Sequence, residues 1–153
     1  MQRRHSWALA ALAAGVMFST PAVSQMKPET LVKQRQAAMT LQGKYFNGEL
    51  RPMAQGKMPY DAARVARNVA FLEALNKMPW DGFAASTKGV KSAATAAVFS
   101  EPAKFKEAQE RSQSEVAKLV SVAKSGDEAA IKAQIMAVDK ACNACHDDFR
   151  ERR

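Results

Sequence analysis

The sequence predicts an all-α fold, most simply an antiparallel four-helix bundle, for the chain that follows an N-terminal leader. Apolar residues recur at spacings of three and four over four long segments, which is the period of an amphipathic helix. No segment shows sustained alternation of apolar and polar residues, and no Asn-Gly pair joins two apolar runs. Most connections are short, which favours antiparallel neighbours over the alternative, an irregular helical globule.

The composition is that of a globular protein. The chain has 153 residues and a net charge of +8, with 47% hydrophobic and 25% charged residues, which excludes a disordered chain. Two cysteines are too few for a disulfide scaffold. No apolar run reaches the roughly 20 residues that span a bilayer.

Residues 1–24 have the pattern of a secretory signal peptide. Arg3 and Arg4 precede an apolar stretch over residues 7–18, and Ala22-Val23-Ser24 is a small-x-small cleavage pattern. The alternative, an N-terminal anchor helix, is disfavoured because the stretch is too short. Cleavage after Ser24 leaves a mature chain, residues 25–153, with a charge of +6. We therefore expect export, to the periplasm in a bacterium.

The first two helices are predicted from Pro28 and from Asp61. Pro28 suits a first turn, and Asp61 is a suitable N-cap. Gly48 and Pro52 are expected to mark the end of the first helix or a fraying last turn, and Pro79 to stop the second. The expected inner faces are Val32, Arg35, Met39 and Phe46 in the first helix, and Ala62, Val65, Val69, Leu72 and Leu75 in the second.

A long connection over residues 79–100 precedes the third helix. Its length suggests a functional loop or a crossover connection between the second and third helices. The third helix has Glu101 and Pro102 in its first turn, and Ser125 to Glu128 fits a capping box for the fourth. The expected inner faces are Phe105, Ser112, Val116, Leu119 and Ala123 in the third helix, and Ile131, Ile135, Val138, Cys142, Cys145 and Phe149 in the fourth.

The fourth helix carries the motif Cys142-Asn143-Ala144-Cys145-His146, which is the attachment signature for c-type haem. Two thiols one turn apart can add to the two haem vinyl groups and form thioethers, while the next residue presents an imidazole to the iron. The sequence thus predicts one covalently attached haem c, held by Cys142 and Cys145, with His146 as the metal ligand.

Three other interpretations are weaker. Two core cysteines would leave the adjacent His146 unexplained. A thioredoxin-like dithiol needs a preceding strand, whereas residues 131–141 have a helical pattern. A structural zinc site lacks a fourth ligand, because the predicted mature chain has no other Cys or His.

The residues leave two assignments for the sixth coordination position of the iron. His5 belongs to the leader, so two histidines cannot ligate one iron within the mature chain. Met136 lies on the same helix as His146, about 15 Å along its axis, and cannot reach the opposite haem face. Met39 is the best-placed methionine, and it either packs as an apolar cap or ligates the iron.

A C-x-x-C-H motif eight residues from the C-terminus, on the last helix of a four-helix bundle, resembles the cytochromes c′, the class II c-type cytochromes. The resemblance covers the whole mature chain. Its other segments are Lys27-Pro28-Glu29, Arg35-Gln36 with Met39, residues 59–63, Pro79-Trp80 with Phe83, and residues 147–150.

The resemblance implies a periplasmic, mostly homodimeric protein with a five-coordinate haem. It implies that Arg35 and Gln36 lie near the haem propionates, and that Met39 crowds the face opposite His146. Arg150 would be a basic residue beside that histidine. The first and second helices would form the dimer surface, with Phe71 as a candidate. Low-spin relatives use a methionine of the first helix as a ligand, so that alternative stays open for Met39.

These residues predict a haem protein that is not an enzyme. With Met39 as a cap, no histidine or other donor is evident opposite His146, which favours nitric oxide and carbon monoxide over dioxygen. Gas binding, single-electron transfer to an unidentified redox partner, or both are expected. A peroxidase or nitric oxide reductase is less favoured, because peroxide cleavage uses an acid/base pair. Basic residues are interleaved with acidic ones, so we expect neither nucleic-acid nor membrane binding, and the basic surface could steer an acidic redox partner.

Overall fold

The structure is a computed structural model that describes residues 26–152. The predicted signal peptide, residues 1–24, lies outside the described residues. The all-α bundle is confirmed. Its helices are α1 (Pro28–Tyr45), α2 (Arg51–Ala54), α3 (Ala62–Leu75), α4 (Ala97–Ser100), α5 (Pro102–Ala123) and α6 (Glu128–Phe149). Together α1 and α2 form the first predicted helix, in which α1 packs against α3 and α2 packs against α6. Helix α5 packs against α3 and α6, and the short α4 precedes α5.

The first helix does not end at Gly48, and Pro52 lies in its last turn, α2. A π-helical turn, Phe46–Leu50, joins α1 to α2, so the helical path continues to Ala54. Pro52 lacks the N–H that would bond to the carbonyl of Gly48 in an α-helix, and its ring would crowd that carbonyl. The wider π turn accommodates the proline, because its hydrogen bonds skip one further residue.

Helix α3 begins as predicted. The Asp61 carboxylate accepts a hydrogen bond from the backbone N–H of Arg64 at 3.0 Å, which satisfies one of the free donors of the first turn. The predicted inner face is confirmed except at Ala62, which is exposed in the first turn. Its buried members are Val65, Val69, Leu72 and Leu75.

The predicted capping box at the start of α6 is wrong. Asp127 is the N-cap, and its carboxylate accepts from the backbone N–H of Ala130 at 3.1 Å. Ser125 instead accepts from the backbone N–H of Asp127 at 3.2 Å, within the turn that Gly126 makes with a φ of 74°. The serine hydroxyl is therefore hydrogen-bonded within the local turn and does not cap the helix.

The bundle core lies where the inner faces of the four long elements meet. On α5 the buried residues are Ser112, Val116 and Leu119. On α6 they are Ile131, Ile135, Val138, Ala141 and Phe149. The seam predicted for α6 is thus confirmed at four positions, whereas Cys142 and Cys145 are half-buried and Ala141 is buried instead.

The long connection is a structured crossover rather than an irregular loop. It contains two 3-10 turns, Trp80–Phe83 and Ala85–Thr87, that pack against α1. Gly82 lies so close to α1 that a Cβ at this position would be 2.5 Å from Arg35 Cβ and 2.7 Å from the carbonyl oxygen of Leu31. Only a residue without a side chain permits this approach.

We expect Gly82→Ala to lower the free energy of unfolding of the holoprotein by about 1–3 kcal/mol, because the added methyl overpacks the contact with α1. Urea unfolding followed by circular dichroism measures the change. Gly48→Ala is the matched control, because nothing lies within 4 Å of its Cβ position, and it should leave stability unchanged or slightly raised. Equal stability of Gly82→Ala and the unsubstituted protein would contradict this packing.

Candidate functional site

A cavity of about 810 Å³ lies between α1, the end of α3, the first half of α5 and the second half of α6. This volume is within the range of about 300–1,000 Å³ that is usual for small-molecule and cofactor pockets. The structure brings all the predicted site residues to this one cavity. They are Arg35, Gln36, Met39, Cys142, Cys145 and His146.

The two thiols are free and half-buried on the cavity side of α6. Burial raises the pKa of Cys142 to about 11, although the nearby hydroxyl of Ser112 acts in the opposite direction. Burial also raises the pKa of Cys145. Both thiols are therefore protonated near neutral pH. A redox dithiol needs a lowered pKa, so this environment does not fit the thioredoxin-like alternative. Neutral thiols fit S–H addition across a vinyl group, which needs no oxidant.

His146 follows Cys145 on the same helix and also lines the cavity. Partial desolvation by the surrounding protein lowers the pKa of His146, and the positive charge of Arg150 lowers it further, against a smaller opposite effect of Asp147. The imidazole is consequently neutral near pH 7. A neutral imidazole is the form that can donate a nitrogen lone pair to a metal.

The end of α6 is held by the crossover connection. Thr95 donates its backbone N–H to the carbonyl of Phe149 at 3.0 Å, and Glu151 donates to the carbonyl of Ala93 at 2.9 Å, so Ala94 and Arg150 pair as an isolated antiparallel bridge. Helix periodicity does not predict this pairing, because it forms between irregular segments distant in sequence. It fixes the backbone next to the turn that carries His146.

Arg35 is buried, with 5% of its surface exposed. Its guanidinium donates to the carbonyl of Gly82 at 2.5 Å and lies over the ring of Phe83, 4.3 Å from the centroid. Desolvation lowers the pKa of Arg35. The crossover connection thus supplies both a carbonyl and an aromatic face as partners of this arginine. Arg35 still lines the cavity and can contact an anionic group there.

Gln36 and Met39 occupy different depths of the α1 wall. Gln36 is exposed, whereas Met39 is half-buried. Ala38, and not Met39, is the buried residue of that turn, so the prediction that Met39 lies on the inner face holds only in part. The thioether of Met39 borders the cavity.

An aromatic wall closes the cavity beside the crossover connection. Phe83 lies 4.8 Å from Phe105, and Phe105 lies 5.2 Å from Phe149, measured between ring centroids, while Trp80 packs at 6.1 and 6.3 Å from Phe83 and Phe105. All four rings border the cavity. Sequence reasoning did not assign Trp80 and Phe83 to the site by periodicity. The signal was available in the concentration of aromatic residues around an unusually long connection.

The rest of the lining is more polar than the sequence predicted. Asn76 and Ser112 are buried polar residues of the cavity wall, and Arg51 forms an ion pair with Asp139 at 3.4 Å at its border. The cavity therefore combines aromatic surface with hydrogen-bonding groups.

These residues fit a haem. An apolar and aromatic cavity of cofactor size suits the macrocycle, and two neutral thiols one helical turn apart match its two vinyl groups. The adjacent neutral imidazole is able to ligate an iron, and the positive charge of Arg35 would suit the propionates.

Comparison with known proteins gives the same result. Residues 30–150 match the family model for cytochrome c′. The chain is 38% identical to cytochrome c′ of Alcaligenes xylosoxydans xylosoxydans, with 83% of this chain and 98% of the relative covered. It is 41% identical to cytochrome c′ of Rubrivivax gelatinosus, with 82% and 98% covered.

Solved structures agree with the sequence relatives. The crystal structure of cytochrome c′ from Rubrivivax gelatinosus superposes with a TM-score of 0.78 at 40% identity and covers 82% of this chain and 98% of its own. A nitric oxide complex of a cytochrome c′ variant from Alcaligenes xylosoxidans superposes with a TM-score of 0.77 at 37% identity and covers 85% and 100%. By its helical bundle, its C-x-x-C-H cavity and these matches, the chain belongs to the cytochrome c′ family, whose members bind haem.

Proposed function

We propose that this protein carries one haem c, attached through Cys142 and Cys145 and ligated by His146, and that it binds small diatomic gases. The observation that carries the proposal is the placement of two neutral thiols and a neutral imidazole along a single cavity of about 810 Å³. The haem would supply an iron with an open coordination position.

The other residues around the cavity would bind the propionates, exclude water and support the turn that carries His146. Arg35 holds a fixed positive charge inside the protein, where it can pair with a propionate. Gln36, exposed on the next position of α1, can bond to a propionate at the solvent edge. The aromatic wall excludes water from the macrocycle, and the pairing of Ala94 with Arg150 keeps the His146 turn in place.

We infer a five-coordinate iron, with Met39 as an apolar cap. Solved relatives from Alcaligenes xylosoxidans include nitric oxide and carbon monoxide complexes, which supports an accessible position for such ligands in this chain. Met39 is half-buried at the cavity, so its bulk can restrict that position without bonding to the metal. The alternative is a low-spin, Met39-ligated electron carrier.

We infer a binding or electron-transfer role rather than an enzymatic one. Asp139, an acidic residue of the cavity border, is paired with Arg51 and is not free to serve as a general acid or base. Single-electron exchange with an acidic redox partner is compatible with the net charge of +6 of residues 25–153. A peroxidase or nitric oxide reductase is the less favoured alternative.

The location we propose is the periplasm, after removal of residues 1–24. The leader pattern of Arg3 and Arg4 followed by an apolar stretch supports it, as does membership of the cytochrome c′ family. Over residues 26–152, every helix is too short or too polar to cross a bilayer.

We further propose a homodimer through α1 and α3. Leu41 on α1 and Phe71 on α3 are large apolar residues with 42% and 41% of their surface exposed. The ring of Tyr45 lies 4.9 Å from that of Phe71, so the two helices present a joined apolar surface. A second copy of the same surface would cover it by two-fold symmetry.

Mass spectrometry of the exported protein should show the mass of the chain without residues 1–24 plus one haem. Replacing both Cys142 and Cys145 by alanine should abolish covalent haem, because no thioether can form. Asn143→Ala is the matched control, since this exposed spacer residue should keep full attachment. Full covalent haem in the double variant would contradict the assignment.

The role of Met39 is tested by optical spectra of the ferric protein and by nitric oxide binding to the ferrous protein. If Met39 does not ligate the iron, Met39→Leu leaves the high-spin spectrum unchanged, because no Fe–S bond is lost. The changed shape of the cap then alters nitric oxide binding by less than about tenfold. Met136→Leu, on α6, is the control. A low-spin spectrum with a sulfur-to-iron band that Met39→Leu removes would establish the alternative.

The proposed dimer is tested by light scattering after size exclusion. Phe71→Glu should weaken dimerisation by about tenfold or more, since an unpaired charge in an apolar interface costs over ~1.4 kcal/mol. Met136→Glu places the same charge on α6, outside the proposed surface, and should leave the mass unchanged. A Phe71→Glu protein that stays dimeric at low concentration would contradict the surface.

A further inference from the structure

Two buried polar side chains, Asn76 and Ser112, border the cavity where the sequence predicted no hydrogen-bond donor. Only 3% of the surface of Asn76 and 7% of that of Ser112 are exposed. Burying an amide is unfavourable unless its hydrogen-bonding groups find partners. The hydrogen-bond partners of Asn76 therefore determine whether this part of the cavity wall can donate a hydrogen bond to a ligand.

Three of the hydrogen-bonding groups of Asn76 are occupied by the protein. Its backbone N–H donates to the carbonyl of Leu72 at 2.9 Å, and its own carbonyl accepts from the indole N–H of Trp80 at 2.6 Å. Its side-chain Oδ1 accepts from the hydroxyl of Ser112 at 3.3 Å. These bonds hold both the backbone and the amide plane in place.

The Nδ2 group of Asn76 is left as a donor. Within residues 26–152, no acceptor lies within hydrogen-bonding distance of Nδ2. Every fully enclosed side-chain polar atom of these residues does have a hydrogen-bond partner. The Nδ2 atom is therefore not sealed inside the protein. Since Asn76 borders the cavity and is otherwise buried, this donor opens into the cavity.

The donor belongs to the same wall as Met39. Gln42 follows Met39 by one turn of α1, and its side-chain amide donates to the carbonyl of Leu75, the residue before Asn76, at 3.0 Å. The wall thus continues from Met39 through Gln42 to Asn76. His146 lies on a different wall, the last turns of α6, with Phe149 and Arg150.

We propose that Asn76, held in place by Ser112, donates a hydrogen bond to gas ligands bound on the Met39 side of the cavity. This rests on the proposed function and specifies its ligand class. A fixed donor favours ligands whose outer atom gains negative charge on binding over ligands that stay neutral. The wall therefore selects for polarised ligands as well as for small size.

The test is infrared spectroscopy of the carbon monoxide complex of the ferrous holoprotein. A hydrogen bond to the bound ligand weakens the C–O bond, so Asn76→Leu, which keeps a similar volume, should move the C–O stretch to higher wavenumber. The unsubstituted protein should show a band shift in D2O, because its donor hydrogen exchanges, and Asn76→Leu should not. Nitric oxide should dissociate about two- to tenfold faster from the variant.

Two further variants separate the donor from packing. Ser112→Ala removes the positioning hydroxyl and should give a smaller shift and a broader band. Asn47→Leu is the matched control, because Asn47 is exposed at the cavity border, and its band should stay in place. If Asn76→Leu does not yield holoprotein, the D2O shift of the unsubstituted protein and the Ser112→Ala band decide.

The outcomes distinguish this inference from the function on which it rests. A carbon monoxide band that neither D2O nor the substitutions move would overturn the role of Asn76 and leave gas binding intact. A ferrous holoprotein that binds no carbon monoxide would overturn the gas-binding function and, with it, the ligand class proposed for Asn76.

Discussion

The contact between Gly82 and α1 is the constraint on which the cavity depends. Because Gly82 has no side chain, the crossover connection approaches the backbone of Leu31, and its carbonyl comes within reach of the Arg35 guanidinium. A buried charge is costly when it loses water, and here a carbonyl and the face of Phe83 replace that water. Arg35 therefore links the first helix to the crossover connection through the Gly82 carbonyl and the Phe83 ring.

The same connection also anchors the other side of the cavity. Residues 93–95 pair with the end of α6, and Lys104 on α5 bridges to Asp148 at 3.2 Å. Between the two anchors the rings of Phe83, Phe105 and Phe149 pack edge to face or tilted. These contacts join the walls of the cavity to one another, and a pocket held by such contacts loses less conformational entropy on binding.

The chemistry of the cavity follows from where charge and polarity are placed within this frame. Burial keeps the thiols of Cys142 and Cys145 protonated, and partial desolvation together with Arg150 keeps His146 neutral. The buried positive charge of Arg35 and the amide of Asn76 lie on other walls of the cavity. One small space thus contains two thiols, an imidazole, a positive charge and an amide, which are the groups we propose as covalent anchor, metal ligand, counter-charge and hydrogen-bond donor.

Local rules account for the elements of the fold that sequence reasoning predicted correctly. The Asp61 cap, three of the five predicted inner-face positions of α5 and most of the α6 seam depend on neighbours within one helix, whose spacing the chain itself sets. Local rules failed where two local options competed. The helical path continues past Gly48 through a π turn into α2, which contains Pro52, and the hydroxyl of Ser125 bonds within a turn rather than capping α6.

By itself the sequence determined the helical class and the C-x-x-C-H motif, because a motif or a helix face is a property of consecutive residues. The roles of Arg35, Gln36 and Met39 follow from the resemblance to the cytochromes c′ and stay a prediction, although all three residues line the cavity. Only the tertiary structure decided what surrounds them. The partners of Arg35, the pairing of Ala94 with Arg150 and the polar pair of Asn76 and Ser112 join segments far apart in the chain. Such contacts depend on how helices and connections pack in three dimensions, and no periodicity along the chain encodes them.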